Sequence, residues 1–159
     1  MTDHEHDYWR TPSGALECAC GESRRAVTVV REPARSWSFP LHFVRPPRGL
    51  SANDRPHWAT KHESTQQVRL MVMSAAQNIP QLERCRVDVE WVVITRHRRD
   101  TDNLAPFMKA IYDGIGADKG ISAHIVPDDD PEHMEKRGAT IRYDKAGPAL
   151  FNVTITELT

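Results

Sequence analysis

The 159-residue sequence predicts an α/β chain of the α+β kind: a small mixed β-sheet with two main helices, in the order β-α-β-α-β-β, plus an N-terminal appendage. Three observations predict it. Apolar residues alternate in short runs around Phe39, Val87, Ile141 and Val153, they recur at helical spacing in two longer stretches, and Pro, Gly, Asn and Asp cluster between the runs. A composition of 39% hydrophobic and 27% charged residues fits a chain that buries one core, and argues against disordered, collagen-like and disulfide-scaffold classes.

Residues 1–36 read as an N-terminal extension to a main domain over 37–159. Within the extension, 15–20 and 26–31 suggest a β-ribbon around a turn at Gly21, Glu22 and Ser23. His4, His6, Cys18 and Cys20 could supply four zinc ligands, but C-x-C with upstream histidines departs from the usual structural spacing, so the ribbon is preferred.

The main domain opens with a strand over 39–44, closed by Pro46, Pro47 and Gly49, because proline cannot continue a central ladder. Ser51, Ala52, Asn53, Asp54, Arg55 and Pro56 make a loop. Ser64 with Gln67 three residues later resembles a capping box. Thr65, Val68, Met71, Val72, Ala75, Ala76 and Ile79 then recur as one helix face, ending near Pro80. In 86–95, Val87, Val89, Trp91 and Val93 alternate with polar residues before Val92 and Ile94 make both faces apolar, so this strand enters the core as it proceeds. Leu104, Phe107, Met108, Ile111, Tyr112 and Ile115 form the second helical stripe. Pro106 limits where that helix starts, since its missing N–H is harmless only in the first turn, and Asp100 and Asp102 fall on the strand-to-helix connection. Two strands, 139–143 and 151–155, are joined by a turn at 144–148.

A net charge of −1 does not by itself suggest a nucleic-acid binder, yet the chain is polar along its length. Residues 1–36 sum to −1, 37–99 to +5 and 100–159 to −5. The first ten residues lack an apolar core and no run approaches the roughly 18 apolar residues of a membrane span, so an intracellular protein, with no membrane partner, is expected. Three cysteines, two of them separated by one residue, suggest reduced thiols.

Carboxylates concentrate at Asp100-Thr101-Asp102 and at Asp128-Asp129-Asp130. Two unit charges about 4 Å apart repel by about 4 kcal/mol at an effective dielectric of 20, so such clusters need strong exposure or a cation. Without context they are polar turns. At the end of an apolar strand, beside Arg96, Arg98 and Arg99, a bound Mg²⁺ becomes the economical explanation. A calcium EF-hand loop fails, because Ala105 and Ile111 stand where it needs Gly and Glu. Lys109 and Asp113 read on spacing alone as an exposed i,i+4 pair, with a phosphate-reaching Lys109 as the alternative.

The run Arg98-Arg99-Asp100-Thr101-Asp102-Asn103-Leu104, then Lys109-Ala110 and Asp113, then Val126-Pro127-Asp128-Asp129 with Pro131-Glu132, resembles the RusA-type Holliday junction resolvases, particularly phage and prophage versions from actinobacteria. Pro46-Pro47, Asn53-Asp54-Arg55 and His57-Trp58 are similar to that branch too, and the resemblance covers roughly 39–157. It implies a Mg²⁺-dependent endodeoxyribonuclease, with Mn²⁺ as a substitute ion, acting as a homodimer on four-way junction DNA in recombination and repair. It would nick opposing strands symmetrically, in the cytoplasm of a bacterial cell or phage-infected host. Asp100, Asp102 and Asp129 match the essential acidic residues, Lys109 the catalytic lysine, and Asp128 and Asp113 further acidic positions. The third metal ligand stays open among Asp128, Asp129 and Asp130, as does the number of ions. Three extra residues separate the D-x-D-N element from its lysine relative to the best-known bacterial form. Phage-type relatives share that longer spacing.

Phosphate contacts are expected from Arg96, Arg98 and Arg99 beside the site and from Arg55, Lys61 and Arg69 on the loop and first helix, with Arg45 and Arg48 as further candidates. A related nuclease acting on flaps or other branched DNA, or a noncatalytic DNA-binding protein of the same fold, would share much of this pattern. Retention of Asp100, Asp102 and Asp129 together favours an enzyme.

Overall fold

A computed structural model describes residues 34–159 and three short strands before them: β1 (Tyr8–Arg10), β2 (Leu16–Cys18) and β3 (Ser23–Arg24). The chain divides into two units, Met1–Pro33 and Ala34–Thr159. In the first, β2 pairs antiparallel with β1 and with β3, aligning Tyr8 with Cys18 and Leu16 with Arg24. The ribbon expected from two strands is thus a three-stranded sheet. Tyr8 and Trp9 favour a strand, but a run of three residues is too short for alternation to reveal it. The second expected ribbon strand, 26–31, and His4, His6 and Cys20 lie outside the described residues, so the zinc alternative does too.

The second unit runs β4 (Ser36–Leu41), α1 (Trp58–Ala75), β5 (Cys85–Val93), a 3-10 turn (Thr101–Leu104), α2 (Ala105–Gly116), β6 (Met134–Lys136), β7 (Thr140–Tyr143) and β8 (Leu150–Glu157). The sheet order is β4-β8-β5-β6, with β7 also on β5. β8 runs antiparallel to β4 and β5, whereas β6 and β7 run parallel to β5, making a mixed five-stranded sheet with two helices. This is the expected α+β class with one more strand, β6.

β4 begins at Ser36, earlier than the sequence suggested, and carries Pro40 at the sheet edge, where the missing N–H need not break a ladder. In β5, Cys85, Val87, Val89, Trp91 and Val93 alternate inward, and Val92 on the opposite face is buried as well, so both faces of the strand are covered at its end. Helix α1 starts six residues before the expected cap. His57 is its N-cap, and Nδ1 accepts the Ala59 N–H at 3.3 Å. Ser64 lies inside the helix and donates its hydroxyl to the Arg48 carbonyl at 2.8 Å, tethering the preceding loop.

Before α2, the Asp100 carboxylate accepts the Asp102 N–H at 3.0 Å and caps the 3-10 turn, and Pro106 then falls in the helix's first turn, where no N–H is needed. The two helices cross closely at Gly114, where an added Cβ would lie 2.9 Å from the Val72 side chain. Beneath them, Phe107 of α2 meets Phe151 of β8 at 4.6 Å between ring centroids, and Phe151 stacks on Trp91 of β5 at 5.2 Å. Among the described residues, no helix is long and apolar enough to cross a membrane.

Candidate functional site

The site forms where β5 ends and α2 begins. The 3-10 turn is fixed from three sides: Asp100 caps it, Leu104 is buried beneath it, and the Asn103 carbonyl accepts the Ala52 N–H at 2.9 Å. That last bond joins the loop carrying Arg55 to the acidic turn. Adjacent carboxylates leave the turn on different sides. Asp102 lines an open groove of ≈ 460 Å³ with Lys109, Tyr112, Lys136 and Arg137. Asp100 lines a separate recess with Arg98, Arg99 and Trp91.

Lys109 Nζ donates to Asp113 Oδ1 at 2.8 Å across one turn of α2. This pair is not the exposed one that helical spacing suggested, because Asp113 is buried. Arg69 of α1 covers it, with Nη1 3.9 Å from Asp113 Oδ2. Arg69 Nε and Nη2 donate to the carbonyls of Ile121 and Lys119, each at 2.7 Å, so its guanidinium faces inward. The expectation that Arg69 contacts DNA is therefore corrected: its side chain is only 12% exposed and its donors are engaged inside the fold.

The three consecutive aspartates behave differently. Asp130 Oδ1 accepts from the backbone N–H groups of Glu132 and His133, at 2.8 and 3.0 Å, shaping the turn into β6. Asp128 Oδ1 accepts the Asp129 N–H at 2.7 Å. Asp129 instead meets Lys136 Nζ at 2.9 Å, beside the groove. Burial pushes the Asp129 carboxyl up, but the hydrogen bond and charge of Lys136, with Lys109 and Asp113 nearby, outweigh it and hold Asp129 below the usual carboxylate range. Lys109 is held above the usual lysine range, chiefly by its hydrogen bond to Asp113.

The four carboxylates expected to share a cation, Asp100, Asp102, Asp128 and Asp129, are not gathered into one cage. Among the described residues, no three His, Cys, Asp or Glu side chains come together around a common point. The reason is local. Asp100 and Asp128 each use an oxygen on a backbone N–H, and Lys136 neutralises Asp129. Asp102 has no side-chain partner among the described residues. Carboxylate oxygens are nonetheless the donors a hard cation takes, and Mg²⁺ needs only one or two of them besides water and phosphate oxygens. Asp102 and Asp129 fit that requirement in kind.

The basic residues sort by exposure and partner. Arg98, Arg55 and Lys61 are exposed, and their side chains have no partner among the described residues. Arg96 lies over the Tyr143 ring at 4.6 Å. Arg99 lies over Trp91 at 5.2 Å and donates to the carbonyls of Thr95 and His97, bracing the loop that leads to Asp100. Sequence reasoning missed Lys136 and Arg137. They flank the end of a three-residue strand whose place is set by pairing with Cys85–Val87, and no local pattern announces it. Tyr112 was read only as core. Its hydroxyl donates to the Arg137 carbonyl at 2.8 Å, which fixes that rim of the groove.

No protein-family model matches this chain, and no curated protein matches it.

Proposed function

We propose that the chain is a RusA-type, Mg²⁺-dependent endodeoxyribonuclease that resolves four-way junction DNA by paired nicks, working as a homodimer in the cytoplasm of a bacterial cell or phage-infected host. The observation that carries this reading is the groove between the start of α2 and the end of β6, which Asp102, Lys109 and Lys136 line together and beside which Asp129 pairs with Lys136. Carboxylates and ammonium groups in one groove match phosphodiester hydrolysis, which needs a site for a divalent ion and a cation for the charge that develops on phosphorus-bound oxygen.

Asp102 and Asp129 would hold the ion, with Asp100 two residues before the one and Asp128 directly before the other. When bound, Mg²⁺, or Mn²⁺ in its place, lowers the pKa of a coordinated water and polarises a phosphoryl oxygen. The chain's own residues do the rest. Lys109 donates to a non-bridging phosphate oxygen as negative charge grows on it. Arg55, Lys61, Arg96, Arg98 and Arg99 hold flanking phosphates and set the register of the strand against Asp102.

The test compares labelled four-way junction, flap and duplex DNA, with and without Mg²⁺, for the wild type and for Asp102→Asn. Paired symmetric nicks on the junction, absent without metal and absent in Asp102→Asn, are expected. Preferred cleavage of flaps would move the assignment to another branched substrate. No cleavage with any divalent ion would leave a noncatalytic DNA-binding protein. Lys109→Ala should lower kcat by about 10²–10³ while junction affinity changes little, as for loss of one transition-state donor.

A further inference from the structure

We propose that Asp113, locked by Arg69, is the positioning residue that holds Lys109 in the groove. The proposal deepens the nuclease reading and rests on it for the role of Lys109.

The chain of contacts becomes more fixed with depth. Lys109 is at the solvent end, its side chain 71% exposed, and a free lysine there would sample many rotamers. Its Nζ is instead taken by Asp113 at 2.8 Å, and the Asp113 side chain is only 12% exposed. An i,i+4 pair that served only the helix surface would not require burial of its acidic member. A buried carboxylate is costly unless cations and hydrogen bonds hold it, and here the second cation comes from another helix. Arg69 reaches from α1 to within 3.9 Å of Asp113 while the carbonyls of Ile121 and Lys119 pin its Nε and Nη2. The loop between those carbonyls wraps the guanidinium tightly. Gly120 has φ +82°, and a Cβ there would lie 3.2 Å from Arg69 Nη2. One buried carboxylate therefore ties the exposed lysine of α2 to an internally held arginine of α1.

The experiment uses the full chain and two readouts. The first is the acetylation rate of Lys109 under trace acetic anhydride at pH 8, mapped by mass spectrometry, with Lys145 as internal reference. Asp113→Asn should raise Lys109 labelling about fivefold or more, because losing the carboxylate frees the amine and lowers its proton affinity, while Lys145 is unchanged. The second is turnover. Asp113→Asn should lower kcat about tenfold with KM for junction DNA within about twofold, and should add nothing on top of Lys109→Ala. Where Asp113→Asn melts below the assay temperature, Arg69→Lys keeps the charge but loses the fork, and should move both readouts in the same direction. Unchanged Lys109 labelling in both variants, with only the melting temperature reduced, would overturn the proposal and leave a purely structural ion pair. A wild type that cleaves no DNA overturns the nuclease reading, and with it positioning for cleavage; the labelling then decides the Asp113–Lys109 link by itself.

Discussion

Cys85 opens β5 with its thiol fully buried, and burial pushes the thiol up to about 11, so at neutral pH it carries no thiolate and behaves as a small apolar group. Iodoacetamide at pH 8 should leave Cys85 unmodified in the native chain and label it after denaturation, read by peptide mass spectrometry. Labelling of the native chain would show that β5 opens readily. Acid sensitivity belongs to other side chains. Asp129 lies below the usual range, Asp130 does so chiefly through the His133 N–H, Asp144 through the N–H groups of Ala146 and Gly147, and Glu157 through Arg35. Groups lowered in the folded state add stability that is present above their unfolded pKa, about 4, and is lost as pH falls through the folded value. Lys109, raised by Asp113, works in the opposite direction: its contribution is present below about pH 10 and is lost as pH rises through its folded value. The melting temperature should therefore be level between about pH 5 and 9 and fall on both sides. Asp130→Asn should shallow the acid limb, measured by calorimetry across pH; an unchanged limb would remove Asp130 from the account.

The helices and strands depend on each other through a few large contacts. Phe107 of α2 is fully buried against Phe151 of β8 and meets Phe43 edge-on, so Phe107→Ala should cost about 3–5 kcal/mol in urea unfolding, whereas Leu70→Ala on the exposed side of α1 should cost far less. Ser64→Ala should cost about 1 kcal/mol by leaving the Arg48 carbonyl unpaired, without moving the start of α1, which His57 sets. That serine shows what could be read in advance. Strand β5 and helix α2 were legible because each presents an apolar repeat long enough to fix its period, and Pro106 located the first turn of α2. The start of α1 was not, since Ser-x-x-Gln occurs inside the helix, where the hydroxyl serves a loop carbonyl. Nor was β6, whose three residues are a strand only because β5 supplies an edge. At the site, the turn bearing Asp100 and Asp102 was legible from its place after β5. The burial of Asp113 was not, because its own helix face looks polar and the group covering it comes from α1. Hydrogen bonding, rather than spacing, distinguishes Asp129 from its neighbours.

The charge excess of 37–99 does not form one surface. Arg84 and Arg86 flank the start of β5 while Arg96, Arg98 and Arg99 follow its end, and a nine-residue strand separates them by roughly 30 Å. With Arg69 internal, the cations lining the groove are Lys109, Lys136 and Arg137, all from the acidic third, while Arg98 and Arg99 line the recess that holds Asp100 on the other side of the turn. On the proposed function, junction affinity should fall steeply with salt. Arg98→Ala should reduce the log–log slope by about one, and Arg84→Ala should leave it unchanged. A flat salt response, or equal effects of the two variants, would argue against this face. The rim bearing Lys136 and Arg137 has one more property. β6 and β7 clasp the same strand in succession, and only residues 137–139 bridge them, with the Arg137 N–H on the Val87 carbonyl and open space beside Gly138. Arg137 is held at both its N–H and its carbonyl, so only Gly138 and Ala139 can bow outward while both clasps stay closed, and the groove has a short compliant step in an otherwise fixed rim. Amide exchange should show it as a short fast interval at Gly138 and Ala139 set between slow neighbours, and a bulky strand could be admitted there without any of the sheet unzipping.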